Sequence, residues 1–181
     1  MALFLPSPLH GPWNRRSSTR EGNEEAIAHF FEQASKTFLG CRPVGKEYEA
    51  LAFYDPRYPV AEYKKMAFSP RLSPQRGDFL GNRLENIFKT MFERYERVVL
   101  GASHRPSIGR PHFMQAFEIL KDEDAVFGPT QEGGFYLMGF KKLYPEIFDR
   151  ALWKIPYAFD TTFKILTAEG IDPHLLPVLM E

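Results

Sequence analysis

The stretch Arg97–Pro106, RVVLGASHRP, is the clearest indication of fold class in the sequence. It begins as a compact apolar run and opens into a polar loop, which is typical of a strand buried on both faces of a parallel sheet. In an open parallel sheet, ligands bind beyond the carboxyl ends of the strands. The polar residues after this strand, Ser103, His104 and Arg105, are therefore the first candidates for a functional site.

The start of the chain repeats this pattern. Ala2–Leu5 is a short apolar run that predicts a second buried strand, and the loop expected at Pro6–Arg20 follows it. Apolar residues then recur at helical spacing over Asn23–Gly40, where the glycine is a plausible end of a helix. The order strand, polar loop and helix is typical of an α/β protein.

The rest of the sequence continues the alternation of strands and helices. The segment up to Pro74 is rich in proline and is expected to be mostly loop, and Asp78 is the expected cap of the helix after it. These lengths and their order predict a layered α/β fold with a mainly parallel sheet. The further predicted strands are Tyr48–Tyr54, Arg97–Gly101, Ala125–Phe127 and Phe135–Phe140, and the further predicted helices are Asp78–Tyr95, Pro111–Leu120, Glu146–Leu152 and Thr161–Ala168.

Composition narrows the class of protein. A chain of 181 residues is long enough for one domain with a hydrophobic core, so we expect a single domain over residues 1–181. The 23 basic and 23 acidic side chains cancel, which disfavours nucleic acid as the main partner. The single cysteine, Cys41, excludes an intrachain disulfide and fits a cytoplasmic protein. No segment reads as a membrane span, and no pattern indicates an oligomeric state.

Three loops after predicted strands carry residues with chemistry. In the first, Gly11 with Arg15 and Arg16 is suited to meeting phosphates, although a solvated arginine-rich loop is the more common interpretation of such residues. In the second, His104 is a candidate ligand, and a hydrogen-bonded loop histidine is the alternative. In the third, Glu132 before Gly133-Gly134 is suited to holding a metal or an acceptor hydroxyl, and a tight turn is the alternative.

Read together, these segments resemble one protein family. Leu3–Gly11 is similar to a strand with a Pro-x-x-Gly loop, Gln75–Leu84 to a Gln-x-Gly-x-Leu-Gly-x-Arg-Met helix start, and Gly128–Gly139 to a Gly-Pro-x-x-Asp-Gly-Gly-Tyr-Tyr-Leu-Ile-Gly segment. Trp153 stands where the family has a tryptophan. The family comprises uncharacterised bacterial glycosyltransferase A-like proteins, also called selenodomain-associated transferases.

The resemblance implies a Rossmann-like three-layer sandwich of the nucleotide-diphospho-sugar transferase (glycosyltransferase A) type. It also implies a nucleotide or nucleotide-sugar ligand at the carboxyl edge of the sheet, bridged by Mg²⁺ or Mn²⁺. Glu132 would be the catalytic residue and, with His104, a candidate metal ligand. The residues implied in nucleotide binding are Pro6, Gly11, Arg16, Gly81, Arg83, Ser103, His104, Arg105, Gly133 and Gly134.

The sequence departs from the family where metal ligands are expected. The strand end usually reads Gly-Thr-Asp-Ser-Pro, whereas Gly101–Pro106 has no carboxylate. The Lys-Thr-Arg of the first loop becomes Asn14-Arg15-Arg16, and Asp-Gly-Gly becomes Glu132-Gly133-Gly134. Three functions stay open. The first is glycosyl transfer at an altered site, with Glu132, His104 or Asp160 as substitute metal ligands or with Arg105 supplying positive charge in place of the cation. The second is a binding or scaffold protein without turnover, and the third is nucleotidyl transfer.

Overall fold

The described part of the chain contains seven short strands, five α-helices and a short 3-10 helix. The computed structural model describes residues 1–9, 20–66, 71–105, 107–149, 153 and 158–179. Among these residues, no helix has the length and apolar character needed to cross a membrane. The strands are β1 Ala2–Leu5, β2 Leu51–Tyr54, β3 Arg71–Pro74, β4 Val98–Ala102, β5 Ala125–Pro129, β6 Phe135–Phe140 and β7 His174–Leu175, and the helices are α1 Arg20–Gly40, α2 Val60–Tyr63, α3 Leu80–Phe92, α4 Arg110–Ile119 and α5 Ala158–Ala168.

The chain divides into two compact units. The first unit consists of Met1–Pro74 and Ala102–His112, and the second of Gln75–Gly101 and Phe113–Glu181. Three strands of the sheet belong to the first unit, in the order β3-β2-β1, and the second unit has the order β4-β6-β5-β7. The expectation of a single domain stays a prediction.

Parallel strands with α1 between them form the first unit. Leu3 of β1 is in register with Ala52 of β2, which is in register with Leu72 of β3. The apolar stripe of α1 is buried at Phe30, Ala34 and Phe38, as its helical spacing predicts. Parallel neighbours need a crossover, and α1 supplies the one between β1 and β2.

The strands of the second unit are not all parallel, because β6 runs in the opposite direction to its two neighbours. β6 pairs in the antiparallel direction with β4 and with β5, while β7 runs parallel to β5. A short turn joins β5 to β6, and such a turn can connect only antiparallel neighbours. The ring of Phe88 on α3 packs against Phe140 of β6, with the centroids 5.0 Å apart, and this contact lies in the aromatic core of the unit.

The structure confirms the predicted α/β class and its mostly parallel sheet, and it corrects several elements. The stretch before Pro74, predicted to be mostly loop, contains α2 and the edge strand β3. Asp78 does not cap α3, because the helix begins at Leu80 and Phe79 is its N-cap residue, without a side-chain capping bond. The two-residue strand β7 has no counterpart among the predicted elements.

Several helix boundaries also differ from prediction. The helix α1 begins at Arg20, three positions before the predicted start at Asn23. The helix predicted at Glu146–Leu152 is a short 3-10 helix at Pro145–Phe148, and residues 150–152 lie outside the described part of the chain. The first of these differences extends α1 back into the predicted polar loop.

Cys41 directly follows α1 and lies in the core of the first unit. Its side chain is completely buried, and Sγ donates to the backbone oxygen of Ile108 at 3.6 Å. Burial raises the pKa of this thiol to about 12, because the thiolate would lose its hydration. The only cysteine of the chain is therefore protonated at neutral pH.

Candidate functional site

Backbone hydrogen bonds to the end of β1 hold the first residues of the loops that follow β2 and β4. The oxygen of Phe4 accepts from the nitrogen of Ser103 at 3.2 Å, and the oxygen of Leu5 accepts from the nitrogen of Asp55 at 3.0 Å. The Tyr63 hydroxyl donates to the oxygen of Pro6 at 3.3 Å. The segments that follow β1, β2 and β4 therefore start beside one another, at the edge of the sheet where parallel α/β proteins bind ligands.

Ser103 lies at this edge and has a buried hydroxyl group. The residue is completely buried, and its Oγ has no hydrogen-bond partner within the described ranges. A buried hydroxyl without a partner costs about 1–3 kcal/mol, so such groups are rare unless a ligand, water or ion is to be bound. Ser103 therefore marks a place where a polar partner would be accommodated.

His104 and Arg105 follow Ser103 in the same loop. Both are half-buried, and the oxygen of Arg105 accepts from the nitrogen of Ile108 at 3.0 Å. Burial, and after it the nearby positive charge of Arg105, lowers the pKa of His104 to about 4. At neutral pH the imidazole is uncharged, so the loop's positive charge comes from the guanidinium of Arg105.

Sequence reasoning missed a salt bridge at the end of β2. The Asp55 side chain is 1% exposed and accepts from Arg57, with Nη2 at 2.5 Å from Oδ2. Arg57 Nε lies 3.0 Å from Oδ1 and 3.1 Å from Oδ2. The signal was present in the dipeptide Asp55-Pro56 directly after a strand, because aspartate before proline often bonds to the backbone two residues later.

The Glu132-Gly133-Gly134 segment forms the turn between β5 and β6 in the second unit. Thr130 closes the turn: its nitrogen donates to the oxygen of Gly134 at 3.0 Å, and its Oγ1 accepts from the nitrogen of Gly134 at 3.1 Å. Gly133 has φ 78°, which explains the glycine at this position. Glu132 is exposed at the turn. The turn thus brings the three predicted residues together, with the carboxylate at the surface.

Gly81 and Arg83 lie at the start of α3, and both contact protein groups. A Cβ added at Gly81 would lie 2.3 Å from the backbone oxygen of Phe148 and 2.6 Å from Cδ1 of Trp153, so close packing alone requires glycine there. Arg83 Nε donates to the oxygen of Gly77 at 2.9 Å. A nucleotide-binding role for these two residues stays a prediction.

The first predicted loop is described only at its beginning. Pro6 is half-buried, and its carbonyl accepts the hydroxyl of Tyr63. Gly11 and Arg16, the other two candidates from this loop, lie outside the described residues. Asp160, named as a substitute ligand, is exposed in the first turn of α5.

The described donors do not fit the implied Mg²⁺ or Mn²⁺ site. Hard cations of this kind bind carboxylate oxygens by preference, whereas the loop after β4 offers the hydroxyl of Ser103, the imidazole of His104 and the guanidinium of Arg105. Across the residues that the structure describes, no group of three His, Cys, Asp or Glu side chains is placed to hold a metal ion. A bound Mg²⁺ or Mn²⁺ ion stays a prediction.

A cavity of about 350 Å³ opens on the second unit, and none of the predicted site residues lines it. Phe92, Arg94 and Tyr95 line it from the end of α3, and Lys141 and Lys142 from the segment after β6. Lys141 donates to the oxygen of Asp122 at 3.0 Å, and Lys142 lies over the ring of Tyr144 at 5.2 Å. The two lysines are thus engaged within the protein, and we assign the cavity no role.

The fold is similar to that of several solved structures. A Desulfovibrio desulfuricans G20 protein, provisionally named a nucleotide-diphospho-sugar transferase, is 24% identical, with a TM-score of 0.84 over 98% of this chain and 78% of that chain. The 4-diphosphocytidyl-2C-methyl-D-erythritol synthase of Anaerococcus prevotii DSM 20548 is 12% identical, with a TM-score of 0.63 over 97% and 85%. A CMP:2-keto-3-deoxy-manno-octonic acid synthetase complexed with CTP is 12% identical, with a TM-score of 0.52 over 98% and 90%. These likenesses confirm the predicted fold type and do not by themselves establish an activity.

The sequence comparisons give a family without an assigned reaction. None of the curated proteins matches the chain. Residues 46–154, which are 109 of the 181 positions, match the model of a family described as uncharacterized proteins conserved in bacteria (DUF2064). Because the match covers more than half of the sequence, the chain belongs to this bacterial family.

Proposed function

We propose that the protein binds a nucleotide sugar through its phosphates at the strand ends of the first unit and transfers the sugar to an acceptor. The observation that carries the proposal is the bonding of Ser103 and Asp55 to the last carbonyls of β1. Three loops thus begin together at the edge where open parallel sheets bind ligands. The names of the similar structures, which include a nucleotide-diphospho-sugar transferase and a synthetase complexed with CTP, support a nucleotide as the ligand.

Charge at this edge favours a phosphate. A guanidinium can donate two parallel hydrogen bonds to phosphate oxygens, and Arg105 supplies one in the loop after β4. The uncharged His104 adds hydrogen-bonding capacity without adding charge. The hydroxyl of Ser103 would bond a phosphate oxygen, and binding then has to expose this group, which the ligand-free chain buries completely.

Glycosyl transfer at such a site needs charge neutralisation and a base. The bond between the sugar C1 and the diphosphate oxygen breaks, and the nucleoside diphosphate leaves with the electron pair. The acceptor oxygen bonds to C1 and gives up its proton. Arg105 would stabilise the charge on the leaving diphosphate. A general base would take the proton, and Glu132 is the residue that the family resemblance implies for this role.

Calorimetric titration tests the binding step. Nucleoside diphosphates and nucleotide sugars are titrated into the protein in the presence of chelator and again with magnesium or manganese. We expect binding that persists with chelator, and a several-fold weaker affinity for Ser103→Ala because one hydrogen bond is lost. Thr162→Val is the matched control, since Thr162 is another buried residue whose Oγ1 has no partner among the described residues. Failure of every nucleotide to bind would refute the proposal.

Product analysis tests the transfer step. Release of a nucleoside diphosphate from a bound nucleotide sugar, lost in Glu132→Gln while binding is kept, is the expected result. Release of pyrophosphate from a nucleoside triphosphate would instead indicate nucleotidyl transfer, the third function that the sequence leaves open.

A binding protein without turnover is the second candidate. Ser103 favours it, because a hydroxyl replaces the carboxylate that the family resemblance places after this strand. Tight nucleotide binding with no product from any donor and acceptor pair would support this alternative over transfer.

A further inference from the structure

A guanidinium is held in a fixed position at the carboxyl end of β2. The carboxylate of Asp55 is buried, whereas 52% of the Arg57 side chain is exposed. Asp55 is also the only charged residue among the described core positions. The fixed end of this ion pair thus lies inside the first unit, and the cation faces solvent.

The local sequence produces this geometry. Asp55-Pro56-Arg57-Tyr58 forms a turn in which the nitrogen of Tyr58 donates to the oxygen of Asp55 at 3.2 Å. The backbone nitrogen of Arg57 also donates to Oδ1 of Asp55 at 3.0 Å. Aspartate at the first position and proline at the second are typical of such turns. Arg57 is therefore placed by four residues that are consecutive in sequence.

The ion pair uses only part of the guanidinium. Arg57 has five N–H donors, and Asp55 engages Nε and one hydrogen of Nη2. In the described part of the chain, the other three N–H groups have no partner. They include one hydrogen on each Nη atom, and this pair forms the fork that matches two oxygens of a phosphate.

Aromatic packing stiffens the segment that carries the fork. The ring of Tyr58 contacts Phe31 and Tyr63, with centroid distances of 5.8 Å and 5.9 Å. Tyr63 is completely buried, and its hydroxyl donates to Pro6 of the loop after β1. An anion that binds here therefore loses little free energy in ordering the side chain.

We propose that Arg57, oriented by Asp55, binds the diphosphate of the ligand directly and without a bridging divalent cation. The identity of the ligand rests on the proposed function, but the anion site does not. The alternative is that Arg57 only neutralises a buried carboxylate, which an unpaired Asp55 would otherwise make costly. A lysine at this position would neutralise Asp55 equally but could not form the fork.

Titration with inorganic pyrophosphate in the presence of chelator tests the site. We expect wild-type protein to bind pyrophosphate, Arg57→Gln to weaken binding about tenfold or more, and Arg57→Lys to weaken it by a smaller factor. Arg110→Gln is the matched control and should bind as the wild type does. Arg110 is likewise an arginine of the first unit in an ion pair, with Glu47, but it lies at the start of α4.

The double variant Asp55→Asn with Arg57→Gln is a control for misfolding of the single variant. It removes both charges and therefore leaves no unpaired buried carboxylate. Circular dichroism checks its fold. Pyrophosphate binding at the wild-type affinity by this variant or by Arg57→Gln would overturn the inference, and so would no binding by the wild type.

Nucleotide titrations separate this inference from the proposed function. If nucleotides bind the wild type and Arg57→Gln equally well, the inference fails and the proposed function stands. If pyrophosphate binding depends on Arg57 and no nucleotide binds, the inference stands and the proposed function fails.

Discussion

The loops at the strand ends of the first unit bury polar groups, whereas the turn between β5 and β6 in the second unit packs against aromatic rings. Asp55 and Ser103 are completely buried at the ends of β2 and β4. In the second unit, the ring of Phe135 lies 6.0 Å from Trp153 and 5.6 Å from Phe159. One unit therefore carries polar groups suited to chemistry at its strand ends, and the other carries hydrophobic packing.

The same difference appears in the comparison with the family pattern, between the residues that match it and the residues that depart from it. Residues of the second unit that match the family pattern have structural reasons: Gly81 accommodates Trp153, and Gly128 lies beneath the ring of Tyr136. The residues that depart from the pattern, Ser103 to Arg105, belong to the polar edge of the first unit. Matching motifs thus identified the fold, while the departures bear on the chemistry.

The largest effect is expected from Gly81→Ala. The new methyl group would lie 2.3 Å from the backbone oxygen of Phe148, which cannot move as a flexible side chain does. We expect a loss of about 3 kcal/mol in the free energy of unfolding, since overpacking costs about 1–3 kcal/mol or more. Urea unfolding measures it.

Gly45→Ala is the control for this variant, because the nearest atom to its added methyl group would be 3.8 Å away. Equal stability of the two variants would show that the contact of α3 with Trp153 is loose, and the contrast between the units would then break down.

An effect of intermediate size is expected from His104, on the pH dependence of the free energy of unfolding. Its pKa is about 4 in the folded chain and about 6.5 when unfolded, so the unfolded state binds more protons between these values. The contribution to stability is present above pH 6.5 and is lost as pH falls toward 4. We expect a loss of about 2 kcal/mol between pH 7 and pH 5.

Urea unfolding of wild type and His104→Gln at both pH values measures this contribution as a difference, which removes the effect of the carboxylates. His29→Gln, at an exposed position of α1, should behave as the wild type does. If His104→Gln keeps the full dependence on pH, the imidazole is solvated and the edge of the first unit is less buried than described.

The smallest effect is expected at the turn of the second unit. Gly133→Ala places a side chain at φ 78° and should cost about 1 kcal/mol. The adjacent Gly134→Ala meets only Oγ1 of Thr130, at 3.5 Å, and should change stability by less than about 0.5 kcal/mol. Thermal or urea unfolding of the pair measures the difference, and equal values would mean that the turn relaxes at no cost.

The sequence predicted the elements in which apolar residues recur at regular spacing or form a continuous run. β1 and β6 were placed with correct bounds, and α3 was recognised from the spacing of its apolar residues. β3 and β7 were missed because they are short edge strands whose polar sequences carry no alternating pattern. Pairing with β2 and β5 holds them in place, and these contacts are distant in sequence.

Some features of the candidate site could not be predicted from neighbouring residues in the sequence. The turn that joins Asp55 to Arg57 is local in sequence, but the burial of Asp55 cannot be derived from a four-residue pattern. Gly81 was assigned to nucleotide binding from a motif, although its contact with Trp153 across 72 positions supplies a packing reason for glycine. Both depend on tertiary contacts that a single sequence does not contain.

The buried Cys41 makes this chain a convenient scaffold for site-specific labelling. Alkylating reagents attack thiolates, and a thiol with a pKa of about 12 in the core supplies almost none. A cysteine introduced by Pro56→Cys, at an exposed position of the turn beside Arg57, would then be the only reactive thiol. A fluorophore attached there would report on the environment of Arg57 without removal of the native cysteine.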